Sequence, residues 1–152
     1  MCFAIGFVLL FIVGALTEIF LGNSVIDIPL HDTYFVVANS HIVMGVAAFY
    51  GVFAGIYYGF PKIFGKCMNN TLGYIHFGMT VIGSGMIFLP MHYMMGMTGV
   101  TRRYYAFESF PVFHQYEGIN QFISVFLILV FFAQLLLVVN FFYSIYKGSK
   151  AS

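Results

Sequence analysis

The sequence predicts an all-α membrane protein, a bundle of four transmembrane helices, and three observations carry that expectation. The chain has 152 residues, of which 61% are hydrophobic and only 7% charged, whereas a soluble domain carries about 25% charged residues. Its apolar residues gather into four runs, at about 1–21, 34–60, 72–96 and 119–146. Each is long enough to cross about 30 Å of hydrocarbon at about 1.5 Å per residue. No run shows the short apolar–polar alternation of a transmembrane barrel.

The first run lacks a basic leader, is too long for a signal's apolar region and shows no clear small-residue cleavage site, so it reads as a helix that stays in the protein. Its abrupt start at Met1 suggests a piece of something larger. The turn GNSVIDIPLHD follows, where Pro29 and the Asn-Ser pair are expected to break the helix. The second run closes at PKIFGKCMNNT, with Pro61 expected as the stop. Gly51, Gly55 and Gly59 fall every fourth position on it, a stripe that lets helix backbones approach. After the third run comes the longest and most polar connection, MTGVTRRYYAFESFPVFHQYEG. Short linkers make neighbouring spans antiparallel. There is no internal repeat and no low-complexity segment.

Basic residues orient the chain. Lys62 and Lys66 follow the second run, and Lys147 and Lys150 the fourth. That end is expected on the cytoplasmic or mitochondrial-matrix side, with both termini. Asp27, Asp32 and Glu108 lie at the other end, together with Arg102 and Arg103. Two outward arginines go against the simple rule and suit an anionic partner, because guanidinium grips carboxylate or phosphate in a fork. Cys2 and Cys67 map to the lysine side without metal-ligand spacing and read as structural thiols.

The polar residues inside the runs hold the chemistry. His41 lies about two turns inside the second span, where an ionisable group is costly and tends to be functional. A haem or metal ligand and a histidine bonded to a backbone carbonyl or a serine are equally open for it. His31 and Asp32 stand at the mouth of the same helix. They form a weak two-residue cation site or, the better reading, Asp32 and Thr33 cap the helix. His76, His92 and His114 need no function, and Glu18 reaches the interface. Asn120, Gln121, Gln134 and Asn140 read as interhelical hydrogen-bond glue. Nothing resembles a hydrolase triad, a phosphate loop or a nucleic-acid surface, so no nucleic-acid partner is expected.

From HDTYFVVANSH at His31–His41 onward, the chain resembles the catalytic subunit, subunit I, of haem–copper cytochrome c oxidases. The match runs on through IVMGVAAFYGVFAGIYYGFPKIFGKCMNNTLGYIHF, FLPMHYMMGMTGVTRRYY and the closing NFFYSIYKG, in the family's order and nearest the bacterial members. It implies one partial subunit I domain over residues 1–152, equivalent to the last four helices, numbers nine to twelve. His31 and Asp32 then contribute to a magnesium or manganese site, and Arg102 and Arg103 contact haem propionates. The family's His-Phe-His is Asn39, Ser40 and His41 here. Residues two apart point about 200° apart on a helix, so one helix serves two haems. The resemblance makes His41 the axial ligand of the low-spin haem, of the a type. Asn39 takes the place of the high-spin haem's ligand, which is lost. Gly59 also stands where relatives commonly have Trp, and the chain has no Trp.

The copper ligands, the second low-spin ligand and the main proton channels belong to preceding helices, so this segment alone is not expected to reduce oxygen. Two readings follow. In the first the chain is the C-terminal part of a proton-pumping terminal oxidase. Its partners are then the remaining helices, subunits II and III, the surrounding lipid and cytochrome c as donor, in a bacterial or mitochondrial inner membrane. In the second it is a non-catalytic paralogue acting as a membrane scaffold, which Asn39 favours. A small transporter or unrelated haem-binding bundle has little support.

Overall fold

The computed structural model describes residues 1–103, 114 and 116–150. Its elements are α1 (Cys2–Leu21), α2 (Ser24–Leu30), α3 (Tyr34–Ser40), α4 (Ala48–Phe64), α5 (Asn70–Pro90) and α6 (Glu117–Lys147). Two π-helical segments, His41–Ala47 and Met91–Gly96, join α3 to α4 and continue α5. Four continuous helices result, Cys2–Leu21, Tyr34–Phe64, Asn70–Gly96 and Glu117–Lys147, all long and apolar enough to cross a membrane. The expected all-α, four-span architecture is what the chain adopts, and no strand occurs among the described residues.

Two expected boundaries are corrected. The break expected at Asn23 and Ser24 is there, since α1 ends at Leu21, but the Asn23 side chain accepts from the Val25 N–H at 3.0 Å and starts a short helix, α2, which Pro29 does not break. Pro61 does not stop the second span. It lies in the last turn of α4, and the helix ends at Gly65, whose φ of 63° is the left-handed conformation that glycine adopts without a Cβ penalty. Thr33 caps α3, accepting from the Phe35 N–H at 3.2 Å.

α5 packs along α6, α3 against the second π segment, and α1 against α4 and the first π segment. One apolar cluster gathers Phe3, Tyr50, Phe53, Phe60, Met68 and Leu137. A second joins Ile87, Met95, Val100, Tyr116 and Ile123. Much of the remaining apolar surface is exposed, including Leu9, Leu16, Phe131 and Val139. That is expected of a chain bathed in lipid or covered by further helices.

Close helix approach does occur at small residues, but not along the expected stripe. Gly55 has no atom outside its own helical turn within 4 Å of where a Cβ would stand, Gly59 meets only Ile63 of its own helix, and Gly51 touches Phe7 at 3.5 Å. The tight approaches between helices are at Gly6 against Tyr50, Gly14 against Val43, Gly83 against Val130, and Gly96 against the backbone of Phe35.

Of the expected polar glue, Asn140 and Gln134 make interhelical bonds. Asn140 is fully buried; its Nδ2 donates to the Asn69 carbonyl at 3.1 Å and its Oδ1 accepts from the Asn69 N–H at 3.2 Å. Gln134 Nε2 donates to Val130 O, which orients its carbonyl oxygen toward His76 Nε2 at 3.2 Å. Tyr57 then donates to His76 Nδ1 at 3.1 Å, so His76 is a fully bonded core histidine. Asn120 and Gln121 make no such bond among the described residues.

Candidate functional site

The site is built at the end of the bundle where α3 begins. A short antiparallel bridge pairs Thr33 with Thr101. It is extended by the Tyr34 N–H on Val100 O and the Arg102 N–H on Asp32 O, both at 2.9 Å. This pins the segment after the second π helix across the mouth of α3. Asp32 takes a left-handed φ of 60°, uncommon for a non-glycine residue, at the corner between α2 and α3. There its carboxylate meets Arg102 Nη2 at 2.5 Å, with Arg103 Nη2 at 3.9 Å.

Removal from water raises the Asp32 pKa, but the hydrogen bond and charge of Arg102, with Arg103 and His31 behind it, hold the carboxyl below its ordinary value of 3.8. Asp32 is thus not the cap, which is Thr33, but the anion that gathers the arginine pair. His31 is exposed and turns to Asp27, Nδ1 to Oδ2 at 3.5 Å. Nitrogen and carboxylate donors suit a divalent ion, but such an ion takes about six ligands. Among the described residues no three of His, Cys, Asp and Glu converge on one point. The mouth therefore offers two donors of a larger set, one of them already paired with Arg102.

Deeper, Asn39 near the end of α3 and His41 at the start of the π segment that continues it point in opposite senses, as residues two apart on a continuous helix must. His41 is exposed and opens the first π-helical segment, a helix irregularity frequent at functional sites. Its Nδ1 lies 2.7 Å from Val37 O. A carbonyl only accepts, so Nδ1 carries the proton and Nε2 keeps its lone pair. Phe88 of α5 lies alongside, ring centres 6.0 Å apart. A ring with one nitrogen tied to a carbonyl and the other free is how a metal-ligating histidine is held. Of the two readings left open for His41, the carbonyl bond is present, and Nε2 has no hydrogen-bond partner among the described residues.

Asn39 faces the other way. It is 1% exposed, wedged against α1. Its Oδ1 accepts from the Thr17 hydroxyl, and its Nδ2 donates to Glu18 Oε1 at 2.7 Å. Glu18 therefore reaches across to α3 rather than simply out to the interface. The site as described does not present Asn39 as an iron ligand: its amide is enclosed and committed to a neighbouring helix. Thr17 and Glu18 are the partners that sequence reasoning missed. The available signal was a threonine beside the only carboxylate within the first run.

Three other histidines and the cysteines complete the inventory. His92 is buried against Phe35, ring centres 3.9 Å apart, with Nδ1 lacking a hydrogen-bond partner among the described residues. His76 is the bonded core residue described above, and His114 is exposed. Cys2 and Cys67 are both free thiols. Glu108, expected at the same end as the arginines, lies outside the described residues.

Comparison with known proteins bears on the whole chain. The family described as "Cytochrome C and Quinol oxidase polypeptide I" matches residues 1–129. An "Alternative cytochrome c oxidase subunit 1" of Bradyrhizobium diazoefficiens is 44% identical over 152 residues, covering 99% of this chain and 26% of that protein. A "Cytochrome c oxidase subunit 1" of Thermostichus vulcanus is 36% identical over 151 residues, 99% of this chain and 26% of that protein. One of Yarrowia lipolytica is 40% identical over 130 residues, 85% of this chain and 24% of that protein. The chain thus spans about a quarter of the length of the relatives it matches.

Proposed function

Because this integral membrane chain belongs to the cytochrome c and quinol oxidase polypeptide I family, we propose that it works as the C-terminal part of a terminal oxidase's catalytic subunit, contributing the axial ligand of a low-spin haem through His41. The observation that carries this reading is the His41 ring, exposed at the start of the first π segment, with Nδ1–H bonded to Val37 O and Nε2 without a hydrogen-bond partner among the described residues. Haem, when bound, supplies one-electron transfer between iron(II) and iron(III). The residues of this chain do the rest. The Val37 carbonyl fixes the tautomer and raises the basicity of Nε2, and Phe88 lies beside the ring.

Arg102 and Arg103, gathered by Asp32, place two positive charges at the mouth, where they suit the carboxylates of haem propionates. In this reading Arg102 divides its donors between Asp32 and a propionate, and His31 with Asp32 supplies two ligands of a magnesium or manganese site completed outside the chain. The whole enzyme passes electrons from cytochrome c to oxygen and pumps protons, together with the remaining helices, subunits II and III. Its lysine end and both termini lie on the cytoplasmic or matrix side.

A reduced-minus-oxidised spectrum of the complex containing this chain tests the reading. A low-spin haem signal that disappears in His41→Ala is the expected result; a signal indifferent to that change would remove His41 from the reading. The scaffold alternative draws on one observation, the enclosed Asn39, and predicts no haem signal at all.

A further inference from the structure

His76 is fully buried within its span, and an ionisable group there is costly and tends to be functional. Both of its nitrogens have partners from this chain. Gln134 Nε2 donates to Val130 O, so Gln134 presents its carbonyl oxygen to His76 Nε2 at 3.2 Å. That oxygen only accepts, which puts the imidazole proton on Nε2 and leaves the lone pair on Nδ1. The Tyr57 hydroxyl donates to this lone pair from 3.1 Å, within the roughly 2.6–3.2 Å reach of a general base. Asn140 is the other group at the phenol oxygen. Its Oδ1 already accepts from the Asn69 N–H and the Ser144 hydroxyl, so it offers Tyr57 a donor and no second base.

Aromatic rings enclose the pair. Phe3 stacks on Tyr57 with ring centres 5.8 Å apart, and Phe3 and Phe53 lie 4.9 and 5.0 Å from the imidazole. The arrangement is a phenol aimed at a neutral base inside an apolar cluster. Two neighbouring tyrosines differ on this point. Tyr50 shares its hydroxyl with Ser84 Oγ at 3.4 Å, and the Tyr58 oxygen accepts from Lys62 at 2.9 Å.

We propose that Tyr57 is a one-electron redox site, with His76 as the base that takes its proton. A phenol that keeps its proton is a poor electron donor, because the radical cation is a very strong acid. Moving the proton as the electron leaves avoids that state. Tyr57 gives one electron to the oxidant, its O–H bond breaks, and the proton forms an N–H bond at His76 Nδ1. The products are a neutral tyrosyl radical and an imidazolium. The positive charge then rests on a ring with both N–H groups hydrogen-bonded, one to the tyrosyl oxygen and one to Gln134 Oε1, as a buried charge requires. Return of one electron reverses both movements. The oxidant is by class a strong one-electron acceptor, and in the oxidase reading above partly reduced oxygen is its source. The pair itself needs no haem, so its test can fail without that reading failing, and the reverse.

The test uses the complex containing this chain, with tris(bipyridine)ruthenium(III) generated by a light flash as oxidant and electron paramagnetic resonance as readout. A tyrosyl radical is expected, with a spectrum that narrows when the protein carries ring-deuterated tyrosine. Tyr57→Phe should abolish it and Tyr50→Phe should leave it unchanged. Gln134→Met removes the acceptor that fixes the His76 tautomer and should lower the radical yield severalfold. In native complex grown on nitrogen-15 histidine, spin-echo modulation should show an imidazole nitrogen coupled to the radical.

A radical that persists in Tyr57→Phe, or is lost in Tyr50→Phe, overturns the proposal. So does a native complex in which the flash yields no tyrosyl radical, or one whose radical has no histidine coupling. The native coupling decides the matter even where a variant fails to assemble.

Discussion

Gly96→Ala should be among the most damaging single-methyl changes in the chain. A Cβ at Gly96 would stand 2.5 Å from the Phe35 N, 2.6 Å from its Cα and 2.7 Å from its Cβ, whereas ordinary contact begins at 3.4 Å. The obstacle is α3 backbone, so no rotamer change can relieve it. The second π segment and α3 must instead part by roughly 1 Å, and overpacking of this kind costs about 1–3 kcal/mol. α3 carries Asn39 and runs directly into the π segment that His41 opens, so the displacement is passed to the site. Thermal unfolding of the assembled complex measures the cost, and the low-spin haem spectrum reports the displacement. Gly78→Ala is the control, because no atom outside its own helical turn lies within 4 Å of its Cβ position, and such changes usually stay within about 0.5 kcal/mol. If the two variants melt together with equal spectra, the close packing of α3 on the π segment is wrong.

Three further outcomes follow from the same geometry. The Asp32 pKa is lower in the fold than in the unfolded chain, so its stabilising pairing with Arg102 is fully present above the ordinary value of 3.8 and is lost as pH falls through the depressed one. Melting temperature against pH should therefore drop in that acid window, and Asp32→Asn should flatten the drop. Asn140→Leu removes two hydrogen bonds, leaving the Asn69 carbonyl with only the Gly73 N–H at 3.1 Å and the Asn69 N–H with only Ser144 Oγ at 3.2 Å. A cost of about 1–3 kcal/mol is expected, read from the urea midpoint of the complex. Cys67 is exposed while Cys2 is half-buried, so a membrane-impermeant maleimide should label Cys67 first, and only in vesicles that present the lysine side. Labelling from the arginine side would reverse the proposed orientation.

The number and identity of the spans were legible because length and hydropathy alone decide them in an apolar solvent. Their ends were not. Pro61 reads as a stop in one dimension, yet it removes only one i→i−4 hydrogen bond, and the helix runs three residues beyond it. The left-handed Gly65 is the real terminator. The stripe of Gly51, Gly55 and Gly59 has the period of close packing, but period says only that one face is smooth. Whether a neighbour uses that face depends on the bundle, and here the intimate contacts went to Gly6, Gly14, Gly83 and Gly96.

The candidate site divides along the same physical line. His41 was legible because an imidazole in a span is conspicuous, and its carbonyl partner is four residues back on the same helix. The Asp32–Arg102 pair was not, since 70 positions separate partners that only a bridge between two segments brings together. Asn39 shows the difference most sharply. From sequence it is an absence, an imidazole replaced by a weak donor. In the fold it is a connection, receiving a hydroxyl and giving an amide proton to two consecutive residues of α1. A degenerate position would shed such costly polar contacts. An amide, a hydroxyl and a carboxylate brought together in this way tie α1 to α3.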